Sequence, residues 1–268
     1  MRYTMDGNQR VAGMQKSHGR FHPWLFLWLL AAAAVRPALA QEVDPVALVR
    51  AAEEAIKGKT SHAVLEMTVV TPDYRRTRRL EAWWEGNEKA LIVTLEPPRE
   101  AGNRTLKRGN ELWMYLRETE TTIKIPPSMM LQSWMGSDFT YDDLVRESNP
   151  VRDYHIRLLR TDTLEGVPCY VLELTPKPEA AVVWGKLLYW VRRPDRLPAR
   201  IEYYSEQGER VRTFTFHDVR RMGGRRLPTR WVMHNEREPG RYTEIRLLSI
   251  EFDIPIPEEI FSFRALEQ

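Results

Sequence analysis

The sequence predicts a mainly β protein of the α+β class, with an antiparallel sheet of about ten or eleven strands curled strongly toward a barrel. Three observations carry this. Apolar and polar residues alternate with a period of two along most of the chain, Gly-containing pairs separate the alternating runs, and one Met-rich segment breaks the rhythm midway. With 43% hydrophobic and 29% charged residues, the 268-residue chain is too apolar to be disordered. Its single cysteine, Cys169, excludes a disulfide framework or a Cys-based zinc site.

The first forty residues read as a secretory signal peptide. Arg2, Arg10, Lys16 and Arg20 form a basic leader, Trp24 to Val35 is an apolar run, and Ala38-Leu39-Ala40 is an A-x-A cleavage site. Twelve apolar residues fall short of the roughly 20 that span a membrane. The leader holds five of the 40 basic and one of the 37 acidic residues, so the rest of the chain carries 35 against 36 and a net charge of about −1. Composition therefore gives no support for a nucleic-acid partner. No Cys follows the cleavage site to accept a lipid. The expected organisation is a signal peptide over 1–40, cleaved after Ala40, and a single domain over 41–268, exported to the periplasm.

Asp44-Pro45 followed by Val46, Leu48, Val49, Ala52 and Ile56 predicts an amphipathic helix over 45–58, with Asp44 as N-cap, Pro45 in the first turn and Gly58 at the stop. Strand runs follow: Ala63, Leu65, Met67 and Val69; Leu80, Ala82 and Trp84; Leu91, Val93 and Leu95; Leu112, Met114 and Leu116. Gly86-Asn87, Gly109-Asn110, Glu165-Gly166, Gln207-Gly208 and Gly223-Gly224 supply the positive φ of hairpin turns. So many strands cannot stay flat, and a single curved sheet is expected over 62–252.

Pro126-Pro127-Ser128 opens the break in this pattern. Met129, Met130, Trp134, Met135 and Phe139 lie around a Gly136 turn, before Leu144. Two short helices flanking Gly136 are expected, and Thr140 with Asp143 resembles a capping box that has Asp in place of Glu.

Seven Trp and seven Met lie beyond residue 40. They suit either an ordinary core or a concave apolar interior, for which Met is well adapted. With the more apolar side of each strand turned inward, the predicted cavity wall is Leu65, Met67, Val69, Trp84, Leu91, Val93, Met114 and Leu116 from the first half. Leu172, Leu174, Trp190, Phe214, Phe216, Trp231 and Met233 continue it from the second. Met129, Met130, Trp134, Met135, Gly136, Phe139 and Leu144 form a predicted lid over it.

No catalytic residue, metal site or cofactor is called for. His62, His155, His217 and His234 lack ligand spacing, and His217 and Asp218 are strand neighbours that point to opposite faces. Ser137 lacks the second glycine of a nucleophile elbow. Asp138, Asp142 and Asp143 fit caps and turns better than acid catalysis. The clusters Arg75, Arg76, Arg78, Arg79 and Arg220, Arg221, Arg225, Arg226 fit either solvated turns or a docking surface for an acidic partner or lipid headgroups.

Glu111-Leu112-Trp113-Met114-Tyr115-Leu116, Ile123-Lys124-Ile125 and Ser133-Trp134-Met135-Gly136-Ser137-Asp138-Phe139-Thr140-Tyr141-Asp142-Asp143-Leu144 resemble the outer-membrane lipoprotein-sorting protein family, the LolA/LolB-like group of periplasmic lipoprotein carriers. Leu197-Pro198-Ala199-Arg200-Ile201-Glu202-Tyr203-Tyr204 with Gln207-Gly208 is similar to a hairpin of that family. The similarity runs over about residues 45 to 265. It implies an unclosed antiparallel β-barrel with helices over its concave side and a hydrophobic cavity for lipid or lipoprotein acyl chains. It also implies a monomeric, non-enzymatic carrier or chaperone in traffic toward the outer membrane, working with an inner-membrane exporter and an outer-membrane acceptor. An adaptor or sensor of the same fold, binding a partner protein rather than lipid, is the alternative.

Overall fold

A computed structural model describes residues 43–145, 150–180 and 182–268; the expected signal peptide lies outside the described residues. Helix α1 (Pro45–Lys57) starts where Asp44 accepts a 2.9 Å hydrogen bond from the Val46 N–H. Pro45 occupies the first turn, where a missing N–H costs nothing, and Gly58 at φ +66° ends the helix. Leu48, Val49, Ala52 and Ile56 form its buried stripe, as their spacing requires.

Six strands follow: β1 (Thr60–Val70), β2 (Arg75–Glu85), β3 (Lys89–Glu96), β4 (Arg104–Arg108), β5 (Glu111–Leu116) and β6 (Thr121–Lys124). A second run comprises β7 (Tyr154–Leu164), β8 (Val167–Pro176), β9 (Lys186–Arg192), β10 (Pro198–Tyr204), β11 (Arg210–Met222), β12 (Arg225–Asn235) and β13 (Tyr242–Phe252). Among the described residues these thirteen strands make one antiparallel sheet, ordered β6-β5-β4-β3-β2-β1-β13-β12-β11-β10-β9-β8-β7. Each run is an up-and-down meander, and pairing of β1 with β13 joins them, setting Ala63 opposite Ile250 and Met67 opposite Ile245. The sheet is curved and unclosed, with β6 and β7 at its two edges. All five turn pairs form hairpins, and their glycines take positive φ. At Gly223 a Cβ would stand 2.5 Å from the Ile250 carbonyl oxygen, so this hairpin accepts no side chain there.

The strand count exceeds the expected ten or eleven because some strands show no alternation. β4 reads Arg-Thr-Leu-Lys-Arg and β6 reads Thr-Thr-Ile-Lys, each with one apolar residue. Pairing on both flanks holds β4 in place despite that composition.

The connection from β6 to β7 crosses from one edge of the sheet to the other. It carries 3-10 turns at Pro127–Met129 and Trp134–Gly136, then short helices α2 (Tyr141–Val145) and α3 (Pro150–Asp153). The expected helix before Gly136 is thus a pair of tight turns. Two prolines open the stretch, and Met135 and Gly136 both take positive φ, +54° and +74°, which no helix continues through. Downstream, the Thr140–Asp143 capping box is present: the Thr140 N–H donates to Asp143 Oδ2 at 2.7 Å and the Asp143 N–H to Thr140 Oγ1 at 3.2 Å.

The last residues, a 3-10 turn at Glu258–Phe261 and helix α4 (Phe263–Glu267), cover the opposite face of the sheet. Phe261 and Leu266 are buried there against Leu91, Leu106 and Tyr115, and the Arg104 guanidinium holds the Ala265 carbonyl at 2.6 Å. β3, β4 and β5 are therefore packed on both faces.

Candidate functional site

Between the concave face, α1 and the crossing segment lies a cavity of about 240 Å³ with a predominantly apolar wall. Small residues in the sheet make room for it. Ala63, Ala82 and Ile92 are cross-strand neighbours in one row, Trp84, Ala90 and Lys107 in the next, and Ala82 and Ala90 both line the space. Ile56 of α1, with Leu174, Leu187, Tyr189 and Ile201 of the other meander and Ile245 and Leu247 of the joining strand β13, completes the wall.

Of the residues predicted for the cavity, Leu65, Met67, Trp84, Leu174, Phe214, Phe216 and Trp231 line it. Leu172 and Met233 are fully buried in the same core, Met114 packs against that core, and Val69 is buried further along β1. Four face elsewhere. Leu91 and Val93 point to the outer face, against Phe261 and Leu266. Trp190 lies on the outer face of β9 with Cys169, Val171 and Leu188. Leu116 borders a separate polar recess beside Arg76 and Glu118. The error in β3 has a plain cause: Lys-Ala-Leu-Ile-Val-Thr is apolar on both sides because both sides are covered, so its pattern does not show that Ala90 and Ile92 turn inward and Leu91 and Val93 outward.

In the predicted lid, Trp134, Phe139 and Leu144 line the cavity, Met130 is buried above it, and Met129 packs on the same core. Met135 packs there too and closes a small neighbouring recess beside Met114. Gly136 is exposed at its turn.

This segment is strapped to both meanders by polar contacts that sequence patterning did not disclose. Arg212 of β11 holds Asp143 of α2 in a two-pronged pair at 2.7 and 2.6 Å, with both side chains buried. The Arg212 guanidinium lies 4.3 Å from the Tyr203 ring centre and 4.5 Å from that of Trp184. Asp138 accepts from Arg241 at 2.8 Å and from the Thr243 hydroxyl at 2.7 Å, so it is a cross-chain anchor rather than a local cap or turn group. On the first meander, the Trp134 indole N–H donates to Thr105 Oγ1 at 3.2 Å, and Lys107 Nζ donates to the Val145 carbonyl at 3.0 Å.

Lys107 is the least foreseeable of these. It is 4% exposed, on the cavity wall, and burial holds its ammonium down at about 8, with Lys57 adding to the effect. Burial also pushes the Tyr189 phenol well above its usual range, and Glu53, 3.3 Å away, adds to this. No sequence signal marks Lys107, because its strand looks like a loop.

Asp142 is buried on the cavity wall, and the other candidates lie away from it. His62 stacks on Trp83 on the outer face and bonds Glu81 at 2.9 Å. His217 bonds Thr215, while Asp218 bonds Arg230. Ser137 is buried, and its hydroxyl donates to the Trp134 carbonyl at 2.7 Å. Cys169 is fully buried, and burial raises its thiol. Among the described residues no three His, Cys, Asp or Glu are grouped to hold a metal. Arg78 is buried on Glu100 and Arg79 pairs with Glu96, whereas Arg225 pairs with Asp253 and Arg220 and Arg221 are exposed.

The model of a family described as an "uncharacterized protein"-like group matches residues 86–268, more than half of the chain. No curated protein matches. Among solved structures, a DUF1329-family protein from Desulfovibrio piger is 24% identical, with TM-score 0.74 over 84% of this chain and 100% of that one. A LolA-superfamily protein from Nitrosomonas europaea is 25% identical, with TM-score 0.69 over 82% and 98%. A lipoprotein-sorting protein domain from Vibrio parahaemolyticus is 20% identical, with TM-score 0.73 over 84% and 98%.

Proposed function

The chain belongs to the family matched over residues 86–268, a LolA-like group with the fold of outer-membrane lipoprotein-sorting proteins, and from that premise we propose that it is a periplasmic, non-enzymatic carrier of acyl chains. The observation that carries this reading is the apolar cavity under the crossing segment. A sheet folded only for stability has no reason to place Ala82 and Ala90 where larger side chains would fill the space. Trp84, Phe216 and Trp231 offer broad apolar surface to a flexible chain, and Met67 adapts to its shape. Burial gains about 0.8 kcal/mol per CH₂, so a 12-carbon chain gains on the order of 8 kcal/mol before costs.

Release needs a counterweight, and the straps from Arg212, Arg241 and Lys107 to the crossing segment supply one. A ligand that enters by displacing this segment gives up part of its burial energy to open the straps, which keeps affinity in a range that permits hand-over. The cargo comes from, and goes to, membrane partners: an inner-membrane exporter and an outer-membrane acceptor. Titration with a fluorescent fatty acid tests the reading. Saturable 1:1 uptake with blue-shifted emission is the expected result, and no uptake by folded protein overturns it.

A further inference from the structure

Apart from Asp142 and Asp143 of α2, the latter paired with Arg212, the polar residues of the cavity wall gather at one end, and that end has a definite chemistry. Ser61, Trp84, Ala90 and Lys107 are successive cross-strand neighbours on β1, β2, β3 and β4, and all four line the cavity. They form a single row on the concave face, at the end closed by the Gly86-Asn87 hairpin and the last turn of α1, where Lys57 and Glu53 also reach the wall. The Ser61 hydroxyl oxygen is buried, in a residue 1% exposed, and has no hydrogen-bond partner among the described residues. A buried hydroxyl left without a partner is costly, so its presence on a cavity wall points to a polar atom of a ligand. Lys107 brings a desolvated ammonium to the same row, while the Lys57 ammonium is paired with Glu53 at 2.9 Å.

Size restricts what fits. A cavity of about 240 Å³ is at or below the low end of pockets that hold drug-sized molecules, about 300–1,000 Å³. One acyl chain has about as many heavy atoms as such a molecule; the chains of a triacylated lipoprotein together have several times more.

Building on the carrier reading, we propose that the ligand is a free single-chain lipid with a compact anionic head, seated with the head along the Ser61–Lys107 row and the chain under Trp134 and Phe139 toward Phe216 and Trp231. Lys107 supplies the charge that selects the head, and the Ser61 hydroxyl donates to one of its oxygens. Burial holds the Lys107 ammonium at about 8, so it is still largely protonated at pH 7 and gains from an adjacent anion.

The test compares laurate with dodecanol, which share a chain length and differ in head charge, by calorimetric titration at pH 7 on wild type, Lys107→Met and Ser61→Ala. Wild type is expected to bind laurate about tenfold more tightly, the value of one charge-assisted hydrogen bond. Lys107→Met should bring the two ligands within about threefold of each other, because loss of the Val145 strap acts on both alike while loss of the charge acts on laurate alone, and Ser61→Ala should weaken laurate two- to threefold. Equal wild-type affinity for both, or a preference that survives both substitutions, overturns the head-group assignment and leaves the acyl carrier standing. If neither lipid binds, the carrier reading falls as well. Lauroyl lysophosphatidate as a third ligand separates the sources of negative charge: binding through the same two residues supports the proposal for a phosphate head, and binding indifferent to both variants counts against it.

Discussion

Arg212 and Asp143 tie the crossing segment to the sheet through two parallel hydrogen bonds of 2.7 and 2.6 Å, although 69 positions separate them in sequence. Asp143 also closes the capping box with Thr140, so one carboxylate both starts helix α2 and fixes it to β11. Tyr203 and Trp184 flank the guanidinium, which keeps the pair dry. Removing one member strands the other in a low-dielectric site.

Arg212→Met is therefore expected to cost about 3–5 kcal/mol in urea unfolding. The double variant Arg212→Met/Asp143→Asn should cost clearly less than the sum of the single changes, because no charge is left buried alone. Additive losses would show that the two side chains act independently.

Ala82 lies on the cavity floor between Ala63 and Ile92. Ala82→Leu projects three further carbons into the space, and fatty-acid affinity should fall at least tenfold on titration. Overpacking a filled core costs about 1–3 kcal/mol, whereas a side chain entering open space costs less. A melting temperature close to wild type is thus the accompanying expectation, and unchanged lipid affinity would remove Ala82 from the ligand path.

The pH dependence of stability follows from Lys107. Its ammonium titrates near 8 in the folded protein and near the ordinary 10.5 when unfolded. Between those values the unfolded chain holds the extra proton, so stability rises with pH across that window. Below about pH 8 both states are charged and the full burial penalty remains, on the order of 3 kcal/mol. Relative to Lys107→Met, wild type should gain stability between pH 8 and 10.5 and show a constant difference from pH 6 to 7.5. A flat difference over the whole range would mean that the amine is not desolvated.

Asp138 and Thr243 touch across the gap between segment and sheet, with hydrogen bonds of 2.9 and 2.7 Å. A disulfide from Asp138→Cys with Thr243→Cys should lock the segment down and abolish fatty-acid uptake, with dithiothreitol restoring it. Full uptake by the oxidised protein would make the segment fixed core and place the entrance elsewhere.

The fold was legible where burial is one-sided. The helix at 45–58, the hairpins and the meander all come from patterns that elementary geometry ties to structure: α1 ends at Lys57 and all five turn pairs are hairpins. Faces became unreadable where both sides are covered. In β3, Leu91 and Val93 serve the outer core with Phe261, and no local pattern reveals a helix that returns 170 residues later. The polar half of the site was illegible for the opposite reason. Lys107 and Thr105 occupy inward positions of a strand with no hydrophobic alternation, so their strand and their role were hidden together. Arg212 and Arg241 looked like any other arginine among forty basic residues, since only tertiary contact distinguishes a strap from a solvated charge.

The most direct test of the central claim is native mass spectrometry of the protein purified from a periplasmic extract without detergent. The account predicts, beside the apo species, a 1:1 complex whose added mass is that of one single-chain acyl lipid and which collisional activation releases as an anion. A purely apo spectrum from folded protein that also fails to take up added fatty acid would contradict it.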